Sequence, residues 1–449
     1  MPPPSESAPP KDSALPATSA PAAPAALAAP AASVAFGPGG LGERAAWAML
    51  LALACGFTLS QAYRTLAAIM GPPVAGELGL SPQQLGLWAA AFHFSFGAMQ
   101  MVMGVSLDLY GVRRTILVAF PMTVAGALLS SQADSYALLM LGQALIGVGC
   151  APAFLVCTVF ISRHFRADRF TALSGLVMSI SGLGVLATAT PLAWLIEASS
   201  WRWGFGVLAV GSLLAWAAIW RLVHEPSPPE DAAHDSTARP SALQSLRELL
   251  GLFALPHTLG LVAYAAVAYA GFITLRGLWL GPLLVERYGF SLVQSGNVAL
   301  AMTLASMASP AIFGRLDPGG ARRIQWLLVL AVVATLMVGT MGLVRHAWVD
   351  ISLAVAYGLL SGYGVLQYGY VRDAYPPAMR GRALSLFTMA MFLGISLMQW
   401  ASGLAASLGP SMGVEPFTAA LLTMAAMLLA GAVAFWKLPR APLAGAQMA

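Results

Sequence analysis

From Trp47 onward the chain runs as long apolar stretches separated by short polar breaks. Twelve such stretches fall at about 46–72, 83–106, 115–133, 137–161, 171–195, 203–222, 257–284, 293–313, 325–344, 350–370, 383–407 and 416–436. Each is close to the roughly 20 apolar residues that a helix needs to cross hydrocarbon. They do not alternate as the strands of a membrane barrel would. In lipid, only helices or closed barrels satisfy the backbone polar groups. The pattern therefore predicts an all-α polytopic membrane protein with twelve transmembrane helices.

The longest break, after the sixth stretch, divides the chain into six spans, a linker and six more. Residues 1–44 form a Pro/Ala-rich tail with little to bury, predicted to be disordered. They have no basic region followed by an apolar core, and so do not read as a signal peptide. Residues 45–223 and 257–437 are the two expected six-helix bundles, 224–256 the linker and 438–449 a second tail. Within the linker, Leu243, Leu246, Leu249, Leu250 and Phe253 share one helical face, which predicts an amphipathic helix lying on the membrane surface.

Composition agrees. Hydrophobic residues make up 58% and charged residues 9%, against about 25% charged in soluble domains. So few charges cannot cover a soluble surface, which excludes a soluble enzyme, a disordered chain and a coiled coil. The three cysteines lie in apolar segments, so disulfides are not expected. The net charge of +5 would suggest nucleic acid, but its distribution explains it otherwise. With both termini in the cytoplasm, eighteen of the 23 basic residues fall in the tails, the linker with its flanks, and loops 2–3, 4–5, 8–9 and 10–11. Only Arg202, Arg287 and Arg345 fall on the other side. That bias is the positive-inside signal, and no nucleic acid is needed.

The halves also repeat. Gly71, Pro72, Gly79, Ser81 and Gly86 recur 210 positions later as Gly281, Pro282, Gly289, Ser291 and Gly296. Asp108, Gly111, Arg113 and Arg114 recur 209 positions later as Asp317, Gly320, Arg322 and Arg323. Internal repeats of membrane helices are the hallmark of secondary transporters, whose solute sites lie near the midplane.

On these residues the chain resembles the major facilitator superfamily over 45–437. The segment Gly104-Val-Ser-Leu-Asp108-Leu-Tyr-Gly111-Val-Arg113-Arg114 looks like the superfamily's loop 2–3 motif, with Leu109 where a basic residue is usual. Gly147-Val-Gly149 looks like a span-four pattern, with Gln143 in place of Arg. Thr190-Pro191 stands where drug–proton antiporters carry Gly-Pro. The resemblance implies two pseudo-symmetric six-helix bundles, alternating access, and a chain that functions as a monomer. It also implies that Asp108 lies beside the start of span eleven near Ala383, and Asp317 beside the start of span five near Thr171. There both would gate the cytoplasmic face, together with Gly111, Arg113, Arg114, Arg322 and Arg323.

Candidate chemistry is sparse. No metal-ligand spacing, nucleophile elbow or phosphate loop is present, so neither an enzyme nor a cofactor or metal is expected. All 18 carboxylates fall in cytoplasmic segments or at outer loops and span ends, leaving no acid for the membrane centre. Two arginines do lie within spans, Arg64 and Arg276. A buried guanidinium costs several kcal/mol and forms paired hydrogen bonds to carboxylate or phosphate. Tyr63-Arg64 also looks like anion-transporting branches of the superfamily. His93, near the midplane of span two, titrates near neutral pH and is the candidate for a coupling proton. Gln61 in the Thr58-Gln61-Thr65 stripe, and Tyr363 and Gln367 in the Tyr363-Gln367-Tyr370 stripe, are candidate solute contacts, because the resemblance implies that spans one and ten line the cavity. The expectation is a secondary transporter of a small solute, an organic anion, in a bacterial inner membrane with both termini cytoplasmic, coupled to protons or to solute exchange. The alternative is an exporter of hydrophobic or drug-like compounds. A membrane sensor would need a sizeable soluble output domain, which the 24-residue break at 224–247 does not offer.

Overall fold

The computed structural model describes residues 42–166, 169–224, 251–376 and 379–441, together with Arg247. Twelve helices within it are long and apolar enough to cross a membrane. They are α1 (Glu43–Tyr63, continued after a break by Leu66–Leu78), α2 (Pro82–Leu107), α3 (Leu109–Ser131), α4 (Tyr136–His164), α5 (Ala172–Ala198) and α6 (Trp201–Leu222). The second set is α7 (Pro256–Arg287), α8 (Leu292–Leu316), α9 (Gly320–Val344), α10 (Ala347–Ala374), α11 (Arg380–Met412) and α12 (Pro416–Lys437). No β-strand occurs among the described residues. Most of the linker, including residues 241–246 and 248–250 of the expected amphipathic helix, lies outside them, as does the tail at 1–41; at its described end Leu252–Ala254 form a short 3-10 turn, with Leu252 buried and Phe253 exposed.

Local signals explain the boundaries. Ser81 and Ser291 open α2 and α8 with capping boxes closed by Gln84 and Gln294. The expected loop 2–3 is a tight kink that joins α2 to α3 with almost no intervening loop. Gly111 makes the bend at φ 76°, ψ 178°, a region that a residue with a Cβ avoids. Its repeat mate Gly320 also has positive φ, at 48°. There the chain does leave the helix, at Asp317–Gly319.

The two halves meet along pairs related by the repeat. α2 runs against α11, α5 against α8, and the second part of α1 against α7. Glycines permit these approaches. A Cβ on Gly281 would fall 1.5 Å from the Ala68 carbonyl oxygen, and one on Gly86 2.5 Å from that of Gln399. Gln83 N–H donates to Ser407 Oγ at 2.8 Å, and Val293 N–H to Glu197 Oε1 at 3.0 Å. All these contacts lie toward the face opposite the termini. Toward the terminal face, a Cβ on Gly104, Gly175 or Gly314 would meet nothing within 4 Å. Among the described residues, the halves close on the far face.

Each half carries a charge cluster on the far face. In the first, Arg202 Nη1 donates to Glu77 Oε1 at 2.6 Å and Trp201 Nε1 to Glu77 Oε2 at 2.7 Å. These bonds hold the Glu77 carboxyl below the usual range. In the second the polarity is swapped. Arg287 Nε donates to Glu415 Oε1 at 2.7 Å, and its Nη1 lies 3.4 Å from Asp350 Oδ2. Burial opposes ionisation of Glu415, yet hydrogen bonds from Arg287 and Thr418 keep its carboxyl below the usual range. Asp350 lies in the first turn of α10, at the span end. It is buried, with 1% exposure, and Tyr288 donates to it at 2.6 Å.

Candidate functional site

Five spans leave regular α geometry partway along. α1 breaks at Arg64–Thr65, with Thr65 at φ −119°, ψ 9°. α4 breaks at Ala151–Pro152 and α5 at Thr188–Ala189. α7 loosens into a π-helical turn at Leu275–Trp279, and α10 tightens at Ser361–Tyr363. Interrupted membrane helices require other groups to take up the freed backbone bonds, and they mark binding sites in transporters. Those groups are present. Gln100 donates to the Ala151 carbonyl at 3.2 Å. Thr65 and Thr188 share a hydroxyl–hydroxyl bond at 2.9 Å, tying the α1 break to the α5 break. Ser309 of α8 donates to the Leu359 carbonyl and accepts from Gly362 N–H at 2.8 Å.

Both candidate arginines sit on these breaks, Arg64 in α1 and Arg276 in the π turn of α7. Their surroundings differ. Arg64 is partly exposed and lies over aromatic rings: its Cζ is 4.7 Å from the centroid of Phe96, 4.8 Å from Phe392 and 6.0 Å from Phe57. The Phe96 and Phe392 rings, one from each half, are themselves 4.3 Å apart. The hydroxyls of Tyr269 and, further off, Tyr368 face the guanidinium. Among the described residues no carboxylate pairs with it, and its Nε has no hydrogen-bond partner. Arg276 is 1% exposed and reaches between α5 and α8. Its Nε donates to Thr303 Oγ1 at 3.0 Å and its Nη2 approaches the Val185 carbonyl at 3.5 Å, leaving Nη1 without a partner.

His93 is buried beside this site. Its Nδ1 lies 3.0 Å from Gln399 Oε1 and 3.2 Å from the Ala89 carbonyl, so Nδ1 carries the proton of the neutral ring and donates to oxygen. The bond to Gln399 crosses from α2 to α11, between the halves. Gln61 is half-buried one turn before Arg64.

The α10 stripe turns elsewhere. Tyr363 donates to the Ala268 carbonyl at 3.1 Å, and Gln367 is enclosed by Leu261, Tyr264, Leu327 and Phe435. Both face the interior of the second bundle. The residue of α10 near Arg64 is Tyr368, about one-third of a helical turn around from Gln367. Tyr368, Tyr269, Phe96, Phe392 and Gln399 were not singled out from the sequence. The only signal for them was their phase relative to Arg64 and His93.

At the terminal face, Asp317 is paired within its own half. Arg323 Nε donates to Asp317 Oδ1 at 2.8 Å and its Nη2 to Oδ2 at 2.6 Å, which holds the Asp317 carboxyl below the usual range. Arg323 Nη1 also donates to Asp373 Oδ2 at 2.6 Å. The cluster of Arg323, Asp317 and Asp373 lies within the second half. Arg114 and Arg322 are exposed, and Arg113 donates to the Trp220 carbonyl at 3.2 Å. The side chains of Asp108 and Thr171 lie outside the described residues.

Twelve helices in two repeat-related halves, with two arginines at their breaks that no carboxylate pairs with among the described residues, define a multi-pass membrane protein. The chain belongs to the Major Facilitator Superfamily, whose family model matches residues 52–397. It is 25% identical over 258 residues to the probable sulfoacetate transporter SauU of Cupriavidus necator, covering 55% of this chain and 58% of that protein. It is 23% identical over 235 residues to the hexuronate transporter of Bacillus subtilis, covering 52% of this chain and 55% of that one. The matches thus span little more than half of these two relatives. An MFS-type efflux pump of Mycolicibacterium smegmatis is 25% identical over 417 residues, 88% of this chain and 93% of the pump. A D-xylose–proton symporter structure shares the fold with a TM-score of 0.70 at 14% identity, covering 88% of this chain and 98% of that one.

Proposed function

We propose that this chain is a secondary active transporter, not an enzyme, that carries a small organic anion by alternating access. The observation that carries the reading is Arg64: a cation at a helix break, partly open, with no carboxylate against it among the described residues. A guanidinium without a counter-ion in a low-dielectric cleft is unfavourable alone and favourable with an anion. The names of the sulfoacetate and hexuronate transporters support the same solute chemistry, since both solutes are organic acids. Arg276 and Gln61 belong to this reading as further solute contacts, and so do Tyr363 and Gln367 if their helix rotates during the cycle. The test is counterflow uptake by proteoliposomes carrying the full-length chain, with organic acids, sugars, amino acids and cationic dyes as solutes. Uptake of acids alone is expected; uptake of dyes alone overturns the reading. The efflux-pump relative, matched over most of its length, favours that second outcome, an exporter of hydrophobic compounds.

Location and direction follow from charge. The basic bias supports placing the terminal face in the cytoplasm of a bacterial inner membrane, and the chain is proposed to work as a monomer. Reporter fusions at Pro228 and at Ala449 are both expected to report cytoplasm; an outward signal from either reverses the orientation. The bends at 108–114 and 317–323 then act as the cytoplasmic latch, with Asp317 held by Arg323 while the face is open.

Coupling is assigned to His93. Proton uptake on Nε2 would add a second positive charge near Arg64. Loading the proton and the anion together is the arrangement that limits this repulsion. His93→Gln is expected to flatten the dependence of uptake on pH between about 5 and 8. An unchanged profile would mean that the proton travels on the solute, or that the transporter exchanges one anion for another.

A further inference from the structure

We infer that the solute held at Arg64 is a planar aromatic monocarboxylate of the benzoate or nicotinate type. The inference rests on the reading of Arg64 as the anion site and adds what surrounds it. Rings of Phe57, Phe96 and Phe392 lie within 6.0 Å of the guanidinium carbon, and the Tyr269 and Tyr368 hydroxyls face it. These rings come from α1, α2, α7, α10 and α11, so both halves contribute to one aromatic lining.

An arginine held on ring faces is stabilised mainly by its charge, and the Tyr269 hydroxyl is the hydrogen-bonding neighbour of its guanidinium. Its planar fork stays available for a carboxylate, and the unpartnered Nε lies on that fork. One carboxylate satisfies it. Among the described residues, the groups that interact electrostatically with Arg64 include Tyr269, Cys150, Tyr368 and His93, none of them a lysine or arginine. Arg276 already gives Nε to Thr303 and turns Nη2 to the Val185 carbonyl, so only its Nη1 is left for the solute. A second anionic group, such as a sulfonate, would therefore lie among rings without a second open guanidinium fork to meet it.

The body of the solute is set by the same lining. Aromatic rings prefer offset or edge-to-face neighbours at about 4.5–7 Å, and a flat acid offers such a face. A hexuronate instead carries several hydroxyls. Each one buried against phenyl rings without a partner lowers affinity by roughly tenfold or more. Two tyrosine hydroxyls cannot serve them all.

The test is calorimetric titration of the detergent-purified, full-length chain with benzoate, nicotinate, glucuronate and sulfoacetate in turn. Binding is measured, not flux, because protonated benzoic acid crosses bilayers unaided. Benzoate and nicotinate are expected to bind at least about tenfold more tightly than the other two. Phe392→Leu is expected to weaken benzoate binding up to roughly tenfold, and Phe96→Leu serves if that variant does not fold. Tightest binding by glucuronate or sulfoacetate overturns the aromatic class and leaves the anion reading in place. Binding of none of the four overturns both. Unchanged benzoate affinity in the folded leucine variants removes the rings from recognition and overturns the inference.

Discussion

Replacing Arg64 with alanine is expected to abolish uptake of the organic anion while the protein stays folded. Truncating one partner of a desolvated charge pair costs about 2–5 kcal/mol, which is a loss of roughly 30-fold to several thousand-fold in affinity. The folded state should not suffer in step. No carboxylate pairs with Arg64 among the described residues, so the alanine variant strands no buried partner charge. It removes an unpaired cation from among phenyl rings, and its melting temperature should hold or rise. Arg64→Lys keeps the charge but loses the paired hydrogen bonds and the flat contact with Phe96 and Phe392, so partial uptake is expected. Uptake and thermal melting measured side by side separate the outcomes. Full uptake by Arg64→Ala would mean that the arginine serves the break in α1 or the outer interface and does not bind the solute. Lost uptake with a collapsed melt would mean that it holds the fold.

The spans were legible because lipid imposes a length and a hydropathy that a sequence displays directly. The repeat placed Gly111 and Gly320 as corresponding positions, and the structure gives both positive φ. What the sequence did not display was the angle around each helix. In a soluble protein the apolar face marks the core. In a membrane helix the lipid face and the packed face are both apolar, so a polar stripe such as Tyr363-Gln367-Tyr370 can turn toward its own bundle while Tyr368 turns toward Arg64. The breaks were hidden for a related reason. Residues 46–72 read as one apolar run, and nothing in Arg64-Thr65 announces a non-helical Thr65; the partner that makes the break tolerable, Thr188, lies 123 residues away. Asp317 was assigned across the halves by resemblance. In the state described here its nearer partner Arg323, one and a half turns along the same segment, takes both oxygens.

The glycines of the far face supply the second large effect, and their placement separates gating from folding. Gly281→Ala puts a Cβ 1.5 Å from the Ala68 carbonyl oxygen, where contact needs about 3.5–4.0 Å. Helix α7 must therefore withdraw from α1 by roughly 2 Å or more at that level. Those helices belong to different halves, so the overlap is relieved by opening the far face. Overpacking of this size costs typically 1–3 kcal/mol, occasionally more, and 3 kcal/mol moves a two-state population by more than about 100-fold. Two other glycines carry similar overlaps inside a single half. A Cβ on Gly184 would lie 1.9 Å from the Thr58 oxygen, and one on Gly394 1.8 Å from the Ala266 oxygen. Relief there means loosening a bundle, so Gly184→Ala and Gly394→Ala should lower the melting temperature without changing how the halves sit. The readout is the distance between spin labels at Gln132→Cys and Met412→Cys, both exposed at the far face, one in each half, with the exposed Cys55 replaced by serine. The distribution is expected to lengthen in Gly281→Ala, with uptake stalled, and to stay unchanged in Gly184→Ala and Gly394→Ala. An unchanged distribution in Gly281→Ala, with normal uptake, would show that the α1–α7 contact is not what closes this face. The close approach of Gly86 to Gln399, next to the His93 bond, would then be the next closure to test.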